Sequence, residues 1–572
     1  MALLSALTVK GNIKNPLLLL EKNQYWGTVE RGAAVEIIAP DVMINGGDGT
    51  VFTPEVGLNV YLLTRQGSNE EFRVNIICRL PKHEAFAQPL RPKLHMSPEL
   101  FSLNDPNGLI FDQYTGEYHL FFQCDYPGPD YVVQGDTKAW GHAVSKDLIS
   151  WRELPVAIPK DENGVIWSGS GVIDTDNCSG LFGPDVPPQS RFVFFYTYYG
   201  GKNGLGTTSI GMAYSLDHCN TLINYGPVIK NRNDIYSSGF RDPSVVWFAH
   251  PELEGGGKWL LIACGDKTLM LSSRDLVHWE YESEVLDKNG GCMVTECPNI
   301  FPMEHGGKTV WVLMAAGTWY VLGDITVENG HVVFKAQTEL IYPCNGVKEL
   351  WGPGSSPLFP ENYASQTFYN ASGGRRIQIS WIRDFWYDPV NKPWWNFLSL
   401  PTELRLEDTA NGLRIGYYPI QEWQGKIKNK LFEFEGEISR DVASRIARIK
   451  DELLLIRARL KGDGCFGFSL HGGGAKVYYD APRRAMVTDK SGSRGDYSGF
   501  LYDTEVLLPD QYASITIIVD VCSVEAYING SYQGGMVYGG SGISFLSDCT
   551  VSGSIEIFSL SPVERNRLES FY

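Results

Sequence analysis

The chain has 572 residues, which is too long for one compact core and indicates at least two domains. Its net charge of −17 disfavours nucleic acids and anionic membranes as partners, whereas a neutral small molecule is compatible with it. Hydrophobic residues make up 43% of the chain and aromatic residues 12%, which excludes general disorder.

The N-terminus and the cysteines bear on where the protein works. The first residues, MALLSALTVKGNIKNPLLLLEK, lack the basic start and the sustained apolar run of a signal peptide. The 11 cysteines are scattered without CxxC pairs, which predicts neither a disulfide framework nor a zinc site. We therefore expect a cytoplasmic protein without a bound metal. If a leader was removed upstream, the protein is secreted and its sequons, at Asn177, Asn370 and Asn529, become relevant.

Residues 1–95 are the first predicted unit. Runs such as AAVEIIAP, LNVYLLTR and FRVNIICRL have the composition of strands, but the motifs found further along the chain are missing. We predict an accessory β-rich region that packs on the next domain or mediates self-association, which leaves a homo-oligomer open.

Residues 96–415 repeat one plan: a polar start, an apolar strand, a tight turn and a second strand. The copies lie at 104–123, 167–199, 241–264, 296–316 and, more weakly, 352–382. Such radial repetition of short sheets is typical of propellers. Five copies therefore predict a five-bladed β-propeller.

Residues 416–429 are predicted to be a linker, and residues 430–572 a further domain. Polar and apolar residues alternate there in runs such as LLLIRARL, CFGFSL and SGSIEIFSL, with Gly and Asp turns between them. Alternation at period two predicts strands with one buried face. The fold expected for this part is a β-sandwich, so the whole chain is predicted to be all-β.

Three acidic residues stand at the start of apolar strands in separate repeats. They are Asp105 in NDPNG, Asp242 in FRDPS and Glu296 in TECPN. In a propeller the first strand of each blade lines the central channel, so we expect the three carboxylates to meet. Taken singly, each Asp-Pro pair is also ordinary turn chemistry, because Asp bonds to its own backbone and Pro fixes φ.

Six further side chains are candidates for binding a sugar: Trp140, Trp167, Asn104, Gln123, Ser168 and Arg241. Aromatic faces pack against the C–H faces of sugar rings, although a core role accounts for either Trp equally well. The amides and the hydroxyl suit sugar hydroxyls, and Arg241 can hold a neighbouring carboxylate ionised. His142 is interpreted as structural.

The blocks NDPNG, WGHA, WSGS, FRDP and EC, in this order, resemble those of glycoside hydrolase family 32. The likeness runs from about residue 95 to residue 562, and it includes LPTEL and the segment DVCSVEAYING. The family comprises invertases, fructan hydrolases and fructosyltransferases, built as a five-bladed propeller followed by a β-sandwich. The resemblance implies a β-fructofuranosidase that acts on sucrose and short fructo-oligosaccharides without a cofactor.

The resemblance also implies a role for each carboxylate in a retaining double displacement. Asp105 would be the nucleophile, Glu296 the acid/base, and Asp242 the group that stabilises the transition state. Adjacent negative charges would keep Glu296 protonated. The neighbouring Cys297 would be a packed residue and not a nucleophile.

Two questions stay open at this stage. The segments SL before NDPNG, CDYPGPD after Gln123, and PENYASQTFY depart from the family pattern on the acceptor side. They leave undecided whether water (invertase or fructan exohydrolase) or a second sugar (fructosyltransferase) resolves the intermediate. Outside these reactions, the alternatives are a catalytically silent fructan-binding protein and a glycosidase that acts on arabinosides.

Overall fold

The computed structural model describes residues 8–10, 15–21, 24–38, 42–44, 51–65, 71–125, 138–201, 207–230, 239–293, 295–343, 362–383, 394–493, 501–566 and 568. Nearly all regular structure in these ranges is β-strand, and the α-helix found there is α1, Arg440–Ile446. The prediction of an all-β protein is confirmed. No helix in these ranges is long and apolar enough to cross a bilayer.

The described residues before position 80 contain eight strands: β1 (Thr8–Lys10), β2 (Asn15–Glu21), β3 (Gln24–Glu30), β4 (Val35–Ile38), β5 (Val42–Ile44), β6 (Val51–Phe52), β7 (Gly57–Arg65) and β8 (Glu71–Arg79). They form two sheets, in the orders β1-β4-β6 and β2-β3-β8-β7-β5. Apolar side chains from both sheets pack together, including Val35, Ile37, Val74 and Ile76. This alternation of buried residues gives the N-terminal region its own small core.

The strands between residues 101 and 419 form five consecutive sheets. The first contains β9 (Phe101–Asp112), β10 (Glu117–Asp125), β11 (Lys138–Ser145) and β12 (Arg152–Ile158), and the second contains β13 (Val165–Ile173), β14 (Phe192–Tyr199), β15 (Thr208–Tyr214) and β16 (Ile223–Lys230). The third contains β17 (Arg241–Ala249), β18 (Gly257–Cys264), β19 (Leu269–Ser273) and β20 (Glu280–Glu284). The fourth contains β21 (Pro298–His305), β22 (Lys308–Ala315), β23 (Trp319–Glu328) and β24 (His331–Ala336).

The fifth sheet contains β25 (Asn362–Thr367) and β26 (Arg376–Ile382), and it is completed by strands from later in the chain. These are β28 (Phe397–Leu398), β29 (Thr402–Thr409) and β30 (Gly412–Pro419), and β27 (Trp394–Trp395) precedes them in the chain. The four main strands pair in the order β25-β26-β29-β30, and β28 pairs with β26. The short β27 instead pairs in parallel with β9 of the first sheet.

The first strands of the five sheets follow one another in space. β13 packs against β9, β17 against β13, β21 against β17 and β25 against β21, and β25 also packs against β9. At each junction a side-chain oxygen of one sheet accepts a backbone N–H of the next. These acceptors are Asn107, Ser170, Ser244, Asn299 and Asn370. The five sheets are therefore tied together in a closed sequence around their first strands.

The last eleven strands form two facing sheets around a second core. They are β31 (Ile427–Glu437), β32 (Leu454–Lys461), β33 (Cys465–Leu470), β34 (Ala475–Asp480), β35 (Ala485–Asp489), β36 (Leu501–Glu505), β37 (Ala513–Asp520), β38 (Ser523–Ile528), β39 (Ser531–Met536), β40 (Ser544–Ser547) and β41 (Ser552–Leu560). The sheet orders are β31-β41-β32-β37-β38-β39 and β36-β35-β34-β33-β40. Residues 416–429, predicted as a linker, comprise the end of β30, a 3-10 turn and the start of β31.

Direct contacts join the regions on either side of the predicted boundaries. One apolar cluster combines Leu94, Leu103 and Phe122 with Ile518 and Phe558 of the last domain. At the N-terminal side, the buried Arg79 guanidinium forms an ion pair with the buried Glu99 carboxylate. The Arg79 guanidinium also donates to the Leu568 carbonyl oxygen at 2.7 Å. The three regions are thus packed on one another through buried groups.

Candidate active site

The first strands are irregular at the positions where the candidate side chains lie. Relative to its partner strand, β9 has one extra residue between Leu103 and Pro106, β13 has one at Ser168, and β17 has one between Arg241 and Ser244. Such bulges redirect a side chain that regular pleating would turn elsewhere, and they are common next to active sites. Asp105, Ser168 and Asp242 all occupy these bulges.

Cys297 links the three predicted acids. Its sulfur lies 3.4 Å from Asp105 Oδ2 and 3.7 Å from Asp242 Oδ2, and its backbone N–H donates to Asp242 Oδ2 at 3.2 Å. Glu296 is the preceding residue. The expected meeting of Asp105, Asp242 and Glu296 is therefore present in the structure. Burial raises the pKa of the Cys297 thiol well above its usual value, so the thiol is a donor and not a nucleophile.

Asp105 is surrounded by hydrogen-bond donors. Its Oδ2 accepts the Ser168 hydroxyl at 2.6 Å as well as the Cys297 thiol, and its Oδ1 accepts Asn104 Nδ2 at 3.1 Å. Donors on both oxygens fix the orientation of the carboxylate. A carboxylate held in this way is suited to act as a nucleophile.

Asp242 is the buried member of the group. Burial raises its pKa to about 6, and the charges of Glu296 and Asp105 act in the same direction, while the Arg241 guanidinium lowers it. Arg241 Nε lies 3.5 Å from Asp242 Oδ2. The Cys264 thiol donates to the same oxygen at 3.4 Å. Asp242 therefore changes its charge within a physiologically accessible pH range.

Glu296 is the accessible member, with 45% of its side chain exposed. Arg241 Nη2 donates to Glu296 Oε1 at 3.1 Å, and the Tyr363 hydroxyl donates to Glu296 Oε2. The surroundings of Glu296 thus include a cation and a phenol in addition to the negative charges that the sequence analysis considered. Burial and the Glu296 charge raise the pKa of Tyr363, so its hydroxyl stays protonated and remains a donor.

The neutral candidates for sugar binding form one chain of hydrogen bonds that ends at Asp105. Asn104 donates to Gln123 Oε1, and Gln123 Nε2 donates to Ser168 Oγ at 2.8 Å. Ser168 then donates to Asp105. These hydrogen bonds orient Asp105, and contact of the three side chains with a sugar stays a prediction. The Arg241 guanidinium contacts both Asp242 and Glu296, which agrees with the expectation that it lies beside a carboxylate.

Trp140 differs from the prediction. Its side chain is fully buried, and its Nε1 donates to the Trp167 carbonyl oxygen at 2.9 Å. It packs against Phe121, Phe194 and Tyr196 in the core of the first two sheets, so it presents no face to a sugar. Trp167 is half-buried, and one face of its ring stacks on Tyr199 at a centroid distance of 4.1 Å. His142 is buried between His119 and Phe121 and is structural.

Tyr363 and Arg383 are site residues that the sequence analysis missed. Tyr363 stands directly before Ala364, whose backbone φ is positive, at +49°. The third and fourth sheets have the same arrangement: Arg241 precedes Asp242 (φ +57°), and Glu296 precedes Cys297 (φ +43°). The shared position in successive copies is the signal that could have identified Tyr363. Arg383 lies over the Tyr363 ring, with its guanidinium carbon 4.5 Å from the ring centre. No group of His, Cys, Asp and Glu that could hold a metal ion occurs within the described ranges.

Comparison with known proteins places this arrangement in a family. The family model described as "Glycosyl hydrolases family 32 N-terminal domain" matches residues 95–415, which include all three acids. The chain belongs to glycosyl hydrolase family 32. The resemblance drawn from the sequence blocks is confirmed.

Curated and solved relatives agree with this membership. A levanase from Bacillus sp. (strain L7) is 30% identical over 529 residues, which cover 84% of this chain and 52% of the levanase. A levanase from Bacillus subtilis (strain 168) is 32% identical over 480 residues, which cover 78% and 66%. The crystal structure of an exo-inulinase from Aspergillus awamori superposes with a TM-score of 0.68 at 23% identity, covering 83% of this chain and 99% of that one.

These comparisons differ in what they support. The exo-inulinase structure shows a shared fold. The chain spans between half and two thirds of the length of the two levanases that it matches.

Proposed function

We propose that this protein is a β-fructofuranosidase that cleaves the fructosyl bond of sucrose and short fructo-oligosaccharides. The observation that carries the proposal is the meeting of Asp105, Asp242 and Glu296 around Cys297. Family membership and relatives named for levan and inulin, two fructans, support the substrate class. Hydrolysis is the main reaction in this proposal, and transfer to a sugar acceptor is the second outcome of the same intermediate.

The first step divides the work among the three carboxylates. Asp105 attacks C2 of the fructosyl unit, while Glu296 gives a proton to the oxygen of the departing sugar. The C2–O bond breaks, an ester bond to Asp105 forms, and the leaving sugar departs as a neutral alcohol. The hydrogen bonds from Ser168, Asn104 and Cys297 hold Asp105 in position for this attack.

Asp242 and Arg241 act on the charge that develops during this step. The ring carbon and oxygen become positive in the oxocarbenium-like transition state, and hydrogen bonds from the sugar hydroxyls to an ionised Asp242 strengthen at that point. Arg241 favours the ionised form of Asp242, because its guanidinium lowers the pKa of that carboxyl. In the second step Glu296 removes a proton from water, or from a sugar hydroxyl, and the oxygen of that molecule bonds to C2. The C2–O bond to Asp105 breaks, which restores the Asp105 carboxylate.

The proposal extends to the architecture that holds the site. We assign the five sheets as the blades of a single five-bladed β-propeller, because their first strands pack in sequence and β25 returns to β9. The side-chain hydrogen bonds at the five junctions support this assignment. The two facing sheets after residue 427 correspond to the expected β-sandwich.

The test is the release of glucose and fructose from sucrose. Asp105→Ala and Glu296→Gln are expected to lower kcat by about 10³-fold or more while the protein remains folded. Glu304→Gln is the control, because Glu304 is an exposed carboxylate whose only hydrogen-bond donor among the described residues is the Thr309 hydroxyl. Near-complete sucrose cleavage by either active-site variant would refute the assignment.

External azide separates the two catalytic roles. In Glu296→Gln, azide is expected to attack the fructosyl-enzyme and give a product with retained configuration. In Asp105→Ala, azide would take the place of the nucleophile, so the product would be inverted.

Sugar-release assays on the native chain address the alternatives. A fructan-binding protein would release no glucose from sucrose, and an arabinosidase would prefer an arabinofuranoside to sucrose.

A further inference from the structure

A cavity of about 310 Å³ lies beyond the three carboxylates along the same first strands. Its lining includes Ser170, Ser244 and Asn299, which come two or three residues after Ser168, Asp242 and Glu296. Two residues of strand span about 6.5 Å. The cavity therefore lies one layer deeper than the candidate active site and is lined by the same sheets.

A hydrogen bond across the ring of first strands separates the two spaces. Gln366 Nε2 of the fifth sheet donates to the Gly169 carbonyl oxygen of the second sheet at 3.0 Å. Gly169 stands between Ser168, which orients Asp105, and Ser170, which lines the cavity. A ligand in the cavity would consequently be a neighbour of the active site without contacting its carboxylates.

Arg376 of β26 brings a positive charge to this cavity, and no carboxylate lines it among the described residues. The guanidinium donates to neutral oxygens: Phe368 O at 2.8 Å, Pro302 O at 3.2 Å and Thr367 Oγ1 at 3.4 Å. Burial lowers the pKa of Arg376 to about 10. The side chain is half-buried, and its guanidinium carbon also lies 4.8 Å from the centre of the Phe301 ring. No carboxylate of the described residues pairs with Arg376, so an anion that enters the cavity would gain a charge-assisted contact.

Three other polar side chains of the cavity, Ser170, Ser244 and Asn299, have donor groups that no described acceptor uses. Ser170 Oγ and Ser244 Oγ each accept a backbone N–H, and neither hydroxyl donates to another described atom. Asn299 Oδ1 accepts twice from Thr367, while the Asn299 amide nitrogen has no acceptor in the described part of the chain. The cavity is thus rich in donors around a single cation.

We propose that this cavity is a binding site for a small oxyanion of the phosphate or sulfate class, held by Arg376 and the donors of Ser170, Ser244 and Asn299. A planar guanidinium binds such an anion through paired N–H groups, and hydroxyl and amide donors complete its coordination. The site lies outside the catalytic residues and is independent of the proposed reaction.

Calorimetric titration of the full chain with inorganic phosphate in a chloride buffer tests the site. One phosphate is expected to bind per chain, and sulfate is expected to compete with it. Arg376→Lys should weaken the affinity by about 10- to 100-fold, because lysine loses the forked geometry. The matched control is Arg375→Lys, since Arg375 is paired with Glu403 and Glu422 and should leave the affinity unchanged.

A second variant keeps the test informative if Arg376→Lys does not fold. Asn299→Asp retains the oxygen that accepts from Thr367, and it places a fixed negative charge two hydrogen bonds away from Arg376. This variant should lose phosphate binding and gain thermal stability in phosphate-free buffer. Absence of binding to the native chain at millimolar phosphate, or native affinity in both cavity variants, would overturn the proposal.

Discussion

At the scale of single residues, Arg241 favours the ionised form of Asp242 against the effect of burial. Its guanidinium contacts Asp242 and Glu296 together, and it opposes the effect of burial on the pKa of Asp242. Arg241→Gln should therefore raise that pKa and move the acidic limb of kcat/KM from near pH 6 to a higher pH. The measurement is a pH profile of sucrose cleavage.

The control for this shift is Arg405→Gln, since Arg405 pairs with Glu403 at an exposed position. An acidic limb that stays at the same pH in Arg241→Gln would mean that Asp242 is not the group that titrates.

Asp242 should also limit the stability of the fold. Its pKa is 3.8 in the unfolded reference and about 6 when buried, so the folded state binds more protons between these values and loses stability as the pH rises through them. Asp242→Asn removes this ionisation. The stability of the variant relative to the native chain should therefore be about 2 kcal/mol more favourable at pH 7 than at pH 4. Urea unfolding at both pH values measures this, and a pH-independent difference would contradict the assignment.

Tyr363 acts through Glu296 and is a positioning residue. Tyr363→Phe removes the hydroxyl that donates to Glu296 Oε2, so Glu296 is less well oriented for proton transfer. We expect kcat on sucrose to fall about 10- to 100-fold, and to fall less on an aryl fructoside, whose leaving group needs little protonation. Tyr418→Phe is the matched control, because Tyr418 donates to Glu407 at 2.6 Å in the outer hairpin of the fifth sheet. Equal losses on both substrates would argue against this role.

At the scale of elements, the repeats were predictable and the bulges were not. An apolar run after a polar start identifies a strand whether or not one residue is extra, so 104–123 and 241–264 were recognised as strand pairs. The extra residues at Asp105, Ser168 and Asp242 depend on pairing with the neighbouring strand. Trp140 was misassigned for a related reason, because period two tells which residues share a face but not which face the core covers.

Asn107 connects a bulge to the junction between two sheets. Its amide donates to the Asp105 carbonyl oxygen at 2.9 Å, and its Oδ1 accepts Gly169 N–H at 3.0 Å. Asn107→Ala should cost about 1–3 kcal/mol in unfolding free energy, because it leaves buried groups unpaired. It should also lower kcat, because Asp105 and Ser168 lose their alignment.

Asn370→Ala is the comparison variant, since Asn370 bonds to Phe111 N and O at another junction, away from the acids. It should cost a similar free energy of unfolding and leave kcat near the native value. A loss of kcat equal to that of Asn107→Ala would show that the effect is a general loosening of the sheets.

At the scale of the whole molecule, His95 joins the segment before the first sheet to the last domain through hydrogen bonds. Its ring lies between two buried carboxylates, 2.8 Å from Asp520 Oδ2 and 2.9 Å from Glu525 Oε1. Asp520 also accepts the backbone N–H groups of Lys93 and Leu94, and Glu525 accepts that of Leu400. The segment DVCSVEAYING was singled out in the sequence only as part of a resemblance. Its use as an anchor depends on His95, which lies 425 positions before Asp520.

Because of this anchor, the free energy of unfolding should fall as the pH rises into the alkaline range. Burial alone would lower the pKa of His95, but the hydrogen bonds and charges of Asp520 and Glu525 raise it from 6.5 to about 9. The charged ring therefore contributes about 3 kcal/mol, which is fully present below pH 6.5 and is lost as the pH rises through 9. His95→Gln should be much less stable than the native chain at pH 6, and the difference should shrink towards pH 10. Thermal unfolding at the two pH values measures it, with His305→Gln at the exposed His305–Asp408 pair as control. A difference that does not change between pH 6 and pH 10 would show that His95 serves by packing alone.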